Sequence, residues 1–299
     1  MPKRFLLSVL FVLISSTAAI AQTTMRDATT WVADLASRYG VTPNITYLVA
    51  SNDEAALDVY APRNAGATAP VATIIYIHGG GWTGGDKNVA LLRALPYLEM
   101  GWAVVNVNYR LGLAPAAVED CRCALRWVIR NATKYNFDVN KLVVTGDSAG
   151  SHLSLTTGML PESAGLDRQC PGQEELKVAA IVNWYGVTDV VDLLEGANQQ
   201  AYAVRWLGSM PNREKIARWV SPLEYVRAGL PPILTVHGDA DTVAPYSHAV
   251  RLHKALDDVK VPNQLLTIPG GNHGSFTRDE FIRIYATIRQ FLTKHGIAK

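Results

Sequence analysis

Apolar residues along the chain gather in short runs that have the character of β-strands. Eight such runs are rich in Val, Ile and Leu, and several are nearly continuous, as in strands that are buried on both faces of a sheet. They lie at Ile45–Ala50, Ala56–Tyr60, Ala72–Ile77, Ala103–Tyr109, Leu142–Thr145, Ala179–Trp184, Ile233–Val236 and Leu265–Ile268.

Five longer segments have the spacing of amphipathic helices. They lie at Asn88–Glu99, Pro115–Tyr135, Ala149–Met159, Tyr246–Asp258 and Thr277–Thr293. Because strands and helices alternate, the sequence predicts an α/β fold with a mostly parallel, eight-stranded sheet and helices on both faces. The first two or three strands follow one another without helices, so we expect an antiparallel leading edge.

One long segment interrupts this alternation. Almost 50 residues separate the strand that ends near Tyr185 from the strand at Ile233, which is too long for a simple crossover. We predict that residues 186–230 form a small cap-like insertion over the carboxyl edge of the sheet. Its large apolar residues either line a substrate pocket or only pack the insertion against the body of the domain; they are Trp206, Leu207, Met210 and Trp219.

The N-terminus has the pattern of a secretory signal peptide. Lys3 and Arg4 precede the apolar run Phe5–Ile14, and residues 19–21 form an Ala-Ile-Ala cleavage site. The apolar run is shorter than the roughly 20 residues that a membrane span needs. We therefore predict a signal peptide at residues 1–21, a mature domain at residues 22–299, a secreted or periplasmic protein and no stable membrane insertion.

The charge balance argues against nucleic acid as a partner. The whole chain carries a formal charge of +2, and removal of the signal peptide takes away Lys3 and Arg4 and no acidic residue, which leaves a charge of zero. No basic excess then remains to attract a polyanion. The hydrophobic fraction of 48% is ordinary for a globular protein with a sizeable core.

Export permits disulfide bonds, and the chain has three cysteines, Cys121, Cys123 and Cys170. Cys121 and Cys123 are two positions apart on a predicted helix, so their side chains point in different directions and make poor partners for each other. We expect one of the two to bridge to Cys170 and the other to be free. No nearby histidine completes a metal-ligand set.

A serine stands in the sharp turn between a predicted strand and a predicted helix. Residues 146–150 read Gly-Asp-Ser-Ala-Gly, which is the G-x-S-x-G pattern. Such a turn pushes the serine oxygen out above the sheet, and its small flanking residues relieve crowding. Ser148 is therefore a candidate nucleophile, which needs a base and a carboxylate that orients the base.

Both partners are available downstream, in the order acid and then histidine. Asp239 and Asp241 follow one predicted strand, and His273 follows the next within a glycine-rich turn. The carboxyl ends of parallel strands are where sites form on such sheets. Either aspartate could orient the imidazole while the other caps the turn.

The other six histidines are predicted to have no catalytic role. We expect His78 and His237 to be structural. We expect His152 to run along its helix away from the serine. The remaining three are expected to be solvated on surface helices; they are His248, His253 and His295.

Three consecutive glycines, Gly79, Gly80 and Gly81, stand where the strand ending at Ile77 stops. Residues without Cβ let a backbone pass close to a ligand and aim its N–H groups at it. When a serine attacks an acyl carbon, the carbonyl oxygen becomes an anion that such donors stabilise. We expect the N–H groups of Gly80, Gly81 and Ala149 to form this oxyanion hole.

Taken together, the motifs HGGGW, NYRL, GDSAG, HGDADTVAP and GGNHGSF resemble those of the α/β-hydrolase superfamily. More narrowly, they resemble the hormone-sensitive-lipase-like and feruloyl/acetyl-esterase-like carboxylesterases over roughly residues 55–295. The resemblance implies Ser148 as nucleophile, Asp241 as the acid, His273 as the base, and no cofactor or metal. Lipase-like members usually have the sequence GDSAGG, whereas in this chain Ser151 takes the place of the last glycine.

The resemblance implies a serine carboxylesterase that acts through an acyl-enzyme on short-acyl or aryl esters, with Trp82 beside the oxyanion loop as a substrate contact. Family analogy and export suggest acetyl or feruloyl esters of plant polysaccharide. A lactonase, an amidase, a peptidase of the same fold or a non-catalytic binding protein are the alternatives. The sequence does not specify the oligomeric state.

Overall fold

A computed structural model describes residues 28–63 and 69–298 of the chain. The predicted signal peptide at residues 1–21 lies outside the described residues. The chain divides into two compact units, Met1–Arg38 and Tyr39–Lys299. The described part of the first unit is one helix, α1 (Ala28–Arg38), which the sequence analysis did not predict.

The second unit is built on one eight-stranded sheet, with the strand order β1-β2-β4-β3-β5-β6-β7-β8. The β1–β2 and β2–β4 pairs are antiparallel and the remaining pairs are parallel, so the predicted sheet and its antiparallel leading edge are confirmed. The strands are β1 (Tyr39–Ala50), β2 (Asp53–Pro62), β3 (Val71–Ile77), β4 (Ala103–Val107), β5 (Phe137–Asp147), β6 (Ala180–Trp184), β7 (Ile233–Gly238) and β8 (Asn263–Ile268).

The five predicted helices are present, and one of them is divided. The predicted helix Pro115–Tyr135 is interrupted at Asn131, whose backbone leaves helical geometry. The helices of the second unit are α2 (Lys87–Glu99), α3 (Ala116–Arg130), α4 (Ala132–Tyr135), α5 (Ala149–Met159), α6 (Ala201–Leu207), α7 (Arg213–Trp219), α8 (Tyr246–Asp258) and α9 (Arg278–Lys294). Within the described residues, no helix combines the length and the apolarity that crossing a bilayer requires.

The register of the central strands brings their carboxyl ends to one edge of the sheet. Ile77 at the end of β3 pairs with Gly146 in β5, and Asp147 pairs with Trp184 at the end of β6. At the other side of the same edge, Gly238 at the end of β7 pairs with Ile268 at the end of β8. The loops that carry the candidate chemistry therefore start beside one another.

The segment between β6 and β7 is an insertion of short helical pieces. Besides α6 and α7 it contains 3-10 turns at Val191–Leu193, Gly196–Asn198 and Pro222–Tyr225. Trp206 and Leu207 are fully buried in the main hydrophobic core, and Met210 and Trp219 pack against that core. These four side chains therefore pack the insertion on the body of the domain, which is one of the two interpretations above.

The expectation that His248 and His253 are solvated is wrong. Both lie on the face of α8 that packs inward, and His248 has no exposed surface. Its Nε2–H donates to Asp192 at 3.0 Å, and its Nδ1 accepts from the Thr188 N–H, so the insertion covers this histidine. His253 contacts the Asn263 side chain at 2.6 Å instead of water.

A disulfide joins Cys123 on α3 to Cys170 in the loop that follows α5. The prediction that one of Cys121 and Cys123 bridges to Cys170 is confirmed, and the structure identifies it as Cys123. The sequence separation of the pair is 47 residues. Arg126, one turn along α3 and almost fully buried, donates to Asp167 and Glu174 in the same loop. Covalent and ionic contacts therefore hold one loop against one helix. Cys121 is free and buried.

Thiol titration should give no fast-reacting thiol in the native protein and one in denaturant without reductant. The reason is that Cys121 is buried and burial raises the pKa of its thiol, which keeps the reactive thiolate scarce. A titration with Ellman's reagent measures this. Three thiols in denaturant would show that the disulfide does not form.

The double variant Cys123→Ala/Cys170→Ala should unfold about 2–4 kcal/mol more easily, because the bridge restricts a long loop in the unfolded chain. Urea unfolding with and without reductant on the unchanged protein is the matched comparison. Equal midpoints in the two conditions would contradict a stabilising bridge.

Candidate active site

Ser148 lies in a strained turn between β5 and α5. Its backbone has φ 54° and ψ −119°, a left-handed conformation that is rare for a residue other than glycine, and its N–H donates to the Trp184 carbonyl at 3.0 Å. The turn requires glycine on both sides. A Cβ added at Gly146 or Gly150 would lie 2.2 or 2.1 Å from the Ile77 carbonyl oxygen.

The structure brings Ser148, His273 and Asp241 into one hydrogen-bonded chain. His273 Nδ1 lies 2.8 Å from Asp241 Oδ2, and His273 Nε2 lies 2.8 Å from Ser148 Oγ. The ionised carboxylate can only accept, so Nδ1 carries the proton. Nε2 is then free to accept from the serine hydroxyl, which is the arrangement that a general base requires.

Asp241 is held as a carboxylate in a buried position. Its side chain has no exposed surface, and Oδ1 accepts from the N–H groups of Val243 and Ala244 at 2.8 and 2.9 Å. Burial raises the pKa of this carboxyl, but hydrogen bonds from His237 and His273 oppose burial, and the net pKa lies well below its usual range. The acid is therefore ionised at neutral pH.

Asp239 binds the backbone of a turn, which is the second of the two roles considered for the aspartates. It is exposed, and its Oδ1 accepts from the Gly270 N–H at 2.6 Å. This bond ties the turn after β7 to the turn after β8, which carries His273. Asp239 thus fixes the turns, and Asp241 contacts the imidazole.

The loop after β3 lies against the serine turn. Gly80 has φ 119° and its carbonyl accepts from the N–H groups of Thr83 and Gly84, which closes the loop into a tight turn. A Cβ at Gly80 would lie 2.2 Å from the Gly84 carbonyl oxygen. Ala149 occupies the first position of α5, where the N–H has no partner within the helix.

The structure does not place Trp82 for direct contact with a substrate. Its side chain has no exposed surface and its ring is stacked on Trp206 with centroids 4.1 Å apart. A fully buried ring cannot touch a bound ester without rearrangement. The sequence placed Trp82 beside the loop correctly and misjudged the direction of its side chain, because the covering residue comes from the distant insertion.

Three residues around the triad were not found from the sequence. Tyr185 lies edge-to-face against His273 with centroids 4.7 Å apart, and Arg93 donates to the Tyr185 hydroxyl and lies 3.4 Å from Asp147. Tyr202, from the insertion, packs 3.3 Å from the position of a Cβ on Gly81. Tyr185 follows β6 directly, so its place at the carboxyl edge of the sheet was an available signal.

The eight-stranded sheet, the strained serine turn and the Ser-His-Asp chain define an α/β-hydrolase. Within that class, the family model BD-FAE matches residues 57–256, and the chain belongs to the BD-FAE family.

Two proteins that are similar to this chain in sequence are named as esterases. The chain is 28% identical over 229 residues to Esterase LipC of Mycobacterium tuberculosis. The matched region covers 73% of this chain and 56% of LipC. It is 29% identical over 205 residues to Esterase LipQ of the same organism, with 64% and 47% covered. The chain thus spans about half the length of these curated relatives.

A solved structure of a thermophilic esterase from Thermogutta terrifontis, Est2, superposes with a TM-score of 0.72. The match covers 89% of this chain and 95% of Est2, at 23% sequence identity. At this identity the likeness establishes the fold, in agreement with the fold class predicted from the sequence.

The contacts of the two aspartates predict different effects on the reactivity of Ser148. Asp241→Asn should slow covalent labelling of Ser148 by a fluorophosphonate by about 10²–10⁴-fold, because an amide no longer fixes the imidazole tautomer. Asp239→Asn should slow it far less. Rates from intact-protein mass spectrometry make the comparison, with Ser148→Ala as the unlabelled control. The reverse ranking would assign the acid to Asp239.

Proposed function

We propose that the protein is a serine carboxylesterase that hydrolyses short-acyl or aryl carboxylic esters through an acyl-enzyme. The observation that carries the proposal is the unbroken chain from Asp241 through His273 to Ser148, in the turn beside the glycine loop. Membership of the BD-FAE family and the similarity to proteins named as esterases support the same activity.

In the proposed reaction, Ser148 Oγ attacks the acyl carbon and its proton moves to His273 Nε2. The carbonyl oxygen becomes an anion, which the N–H groups of Gly80, Gly81 and Ala149 stabilise. His273 then gives the proton to the leaving alcohol, and the acyl group stays on Ser148. Water attacks this acyl-enzyme by the same two proton transfers, which releases the acid and restores the serine.

The proposed substrates have a small or flat acyl group. Tyr202 packs over Gly81, and its hydroxyl donates to the Val243 carbonyl at 2.9 Å, next to the acid turn. Its ring therefore takes up space beside the oxyanion loop, which favours short acyl chains. Acetyl or feruloyl esters of plant polysaccharide are the substrates that the resemblance suggests.

We also propose that the protein is exported to the periplasm or secreted. The support comes from the charged and apolar pattern of the first 22 residues. The disulfide between Cys123 and Cys170 agrees with an oxidising compartment.

Ser148→Ala should lose at least about 10³-fold of the turnover of p-nitrophenyl acetate, because no other group replaces the nucleophile. The circular dichroism spectrum should stay unchanged. Initial rates for the acetate, for p-nitroacetanilide and for a δ-lactone measure the activity and its class. Faster hydrolysis of the anilide or the lactone would replace the esterase proposal by an amidase or a lactonase.

Tyr202→Ala should raise the preference for hexanoate over acetate p-nitrophenyl esters by about tenfold. Space opens beside Gly81, and this factor corresponds to burial of about two of the four additional methylenes at about 0.8 kcal/mol each. Tyr202→Phe is the matched control, because it keeps the ring and removes only the hydroxyl bond to Val243. The ratio of kcat/KM values is the measurement. An unchanged ratio in the alanine variant would show that the acyl group lies elsewhere.

A further inference from the structure

Trp82 has an unusual backbone conformation directly after the oxyanion loop. It follows Gly81 and has φ 63°, a left-handed value that is a true outlier for a bulky residue. Such a conformation persists only where the surroundings hold it. Contacts that hold the side chain of Trp82 therefore also hold its backbone, including the peptide bond that joins it to Gly81.

Two side chains hold the indole of Trp82 in the protein interior. Trp206 stacks on one face at 4.1 Å, and His152 meets the ring edge-to-face with centroids 5.0 Å apart. All three side chains have no exposed surface. The indole Nε1–H donates to His152 Nδ1 at 3.0 Å.

This hydrogen bond determines the protonation of His152. An indole nitrogen can only donate, so His152 Nδ1 must be unprotonated and the proton lies on Nε2. Nε2–H donates in turn to the Val220 carbonyl oxygen at 2.7 Å. Burial lowers the pKa of His152 to about 4, so the imidazole is neutral at neutral pH and both of its nitrogens are satisfied.

His152 is also joined to the nucleophile. It lies one helical turn after Ser148 on α5, and its N–H donates to the Ser148 carbonyl at 3.1 Å. Trp82 belongs to the loop after β3, whereas Trp206 and Val220 belong to the insertion. Three separate elements of the fold therefore meet at one imidazole.

We propose that His152 is a positioning residue that holds the oxyanion loop, through Trp82, at a fixed place relative to Ser148. It does so as a neutral imidazole that accepts from the loop and donates to the insertion. The proposal rests on the oxyanion role of Gly80 and Gly81. His152 and Trp82 themselves do not contact the substrate.

A role in packing alone gives a different expectation. If these side chains only filled the core, Trp82→Phe would reduce stability and leave the reactivity of each folded molecule unchanged. If they position the loop, the same variant keeps an aromatic ring, loses the bond to His152, and weakens stabilisation of the oxyanion. A whole oxyanion donor is worth about 10²–10³ in kcat, so we expect a loss of about tenfold or more.

The test compares kcat and KM for p-nitrophenyl acetate between the unchanged protein and Trp82→Phe. It also compares inhibition by two ketones that differ only in a trifluoromethyl or a methyl group. A trifluoromethyl ketone forms a tetrahedral adduct with Ser148 that carries an oxyanion, whereas the corresponding methyl ketone does not. Trp82→Phe should lose about tenfold or more in kcat and equally in trifluoromethyl ketone affinity. KM and methyl ketone affinity should change by less than about threefold.

His152 is tested by a pair of variants. Gln can accept from the indole with its oxygen and donate to Val220 with its nitrogen, so His152→Gln should retain most of the rate. His152→Leu should lose about as much as Trp82→Phe. His253→Gln, at another buried histidine, is the control for the loss of a core imidazole. If His152→Leu unfolds, Trp82→Phe decides, since phenylalanine keeps an aromatic ring in the core and loses only the indole N–H and part of the ring.

Fluorophosphonate labelling of Ser148 separates this proposal from the proposed function, since its phosphoryl oxygen also needs the oxyanion donors. If the unchanged protein labels but does not hydrolyse esters, the esterase proposal fails and the labelling rates decide the role of His152. Slower labelling in Trp82→Phe would support that role. Unchanged labelling and unchanged trifluoromethyl ketone affinity in folded Trp82→Phe would overturn it.

Discussion

The site depends on a contact between main chains at the carboxyl edge of the sheet. The Ile77 carbonyl at the end of β3 lies so close to Gly146 and Gly150 that a Cβ at either position would overlap it. Ile77 and Gly146 are also paired in register. The glycine loop after β3 and the turn that carries Ser148 are thus held in direct contact by backbone atoms. Sheet register brings the loop and the turn to the same place, and the side-chain contacts of Trp82 and His152 add to what holds them there.

The second constraint is electrostatic, because the candidate acid, Asp241, is a buried carboxylate. A buried carboxylate is costly unless it is hydrogen-bonded. Asp241 receives the N–H groups of Val243 and Ala244 and the imidazole of His273, and His237 lies 3.2 Å away. These donors outweigh the cost of burial. The ionised Asp241 accepts a hydrogen bond from Nδ1–H of His273, which leaves Nε2 unprotonated towards the serine. The ionised state of the acid therefore selects the nitrogen that can act as a base.

The sequence predicted what local signals encode. Apolar runs marked all eight strands, and glycine-rich turns at strand ends marked Ser148 and His273. These turns meet because the carboxyl ends of parallel strands share one edge of the sheet. The failures involve residues covered by a distant segment. Helical periodicity left His248 exposed, yet the insertion covers it, and the burial of Trp82 depends on Trp206, which follows it by more than 100 positions. Periodicity contains no information on how an insertion folds back.

The packing of the insertion also limits how it can move. Trp206 stacks on Trp82, and the Trp206 carbonyl accepts from the Ala114 N–H at 3.0 Å. Opening α6 as a rigid lid would expose both indoles, and an indole that buries roughly 150 Å² or more contributes about 4 kcal/mol of hydrophobic free energy. This helix therefore packs as a fixed support against the glycine loop after β3. Tyr202 lies on the same helix and packs over Gly81, so the packing of the helix also fixes the position of this ring.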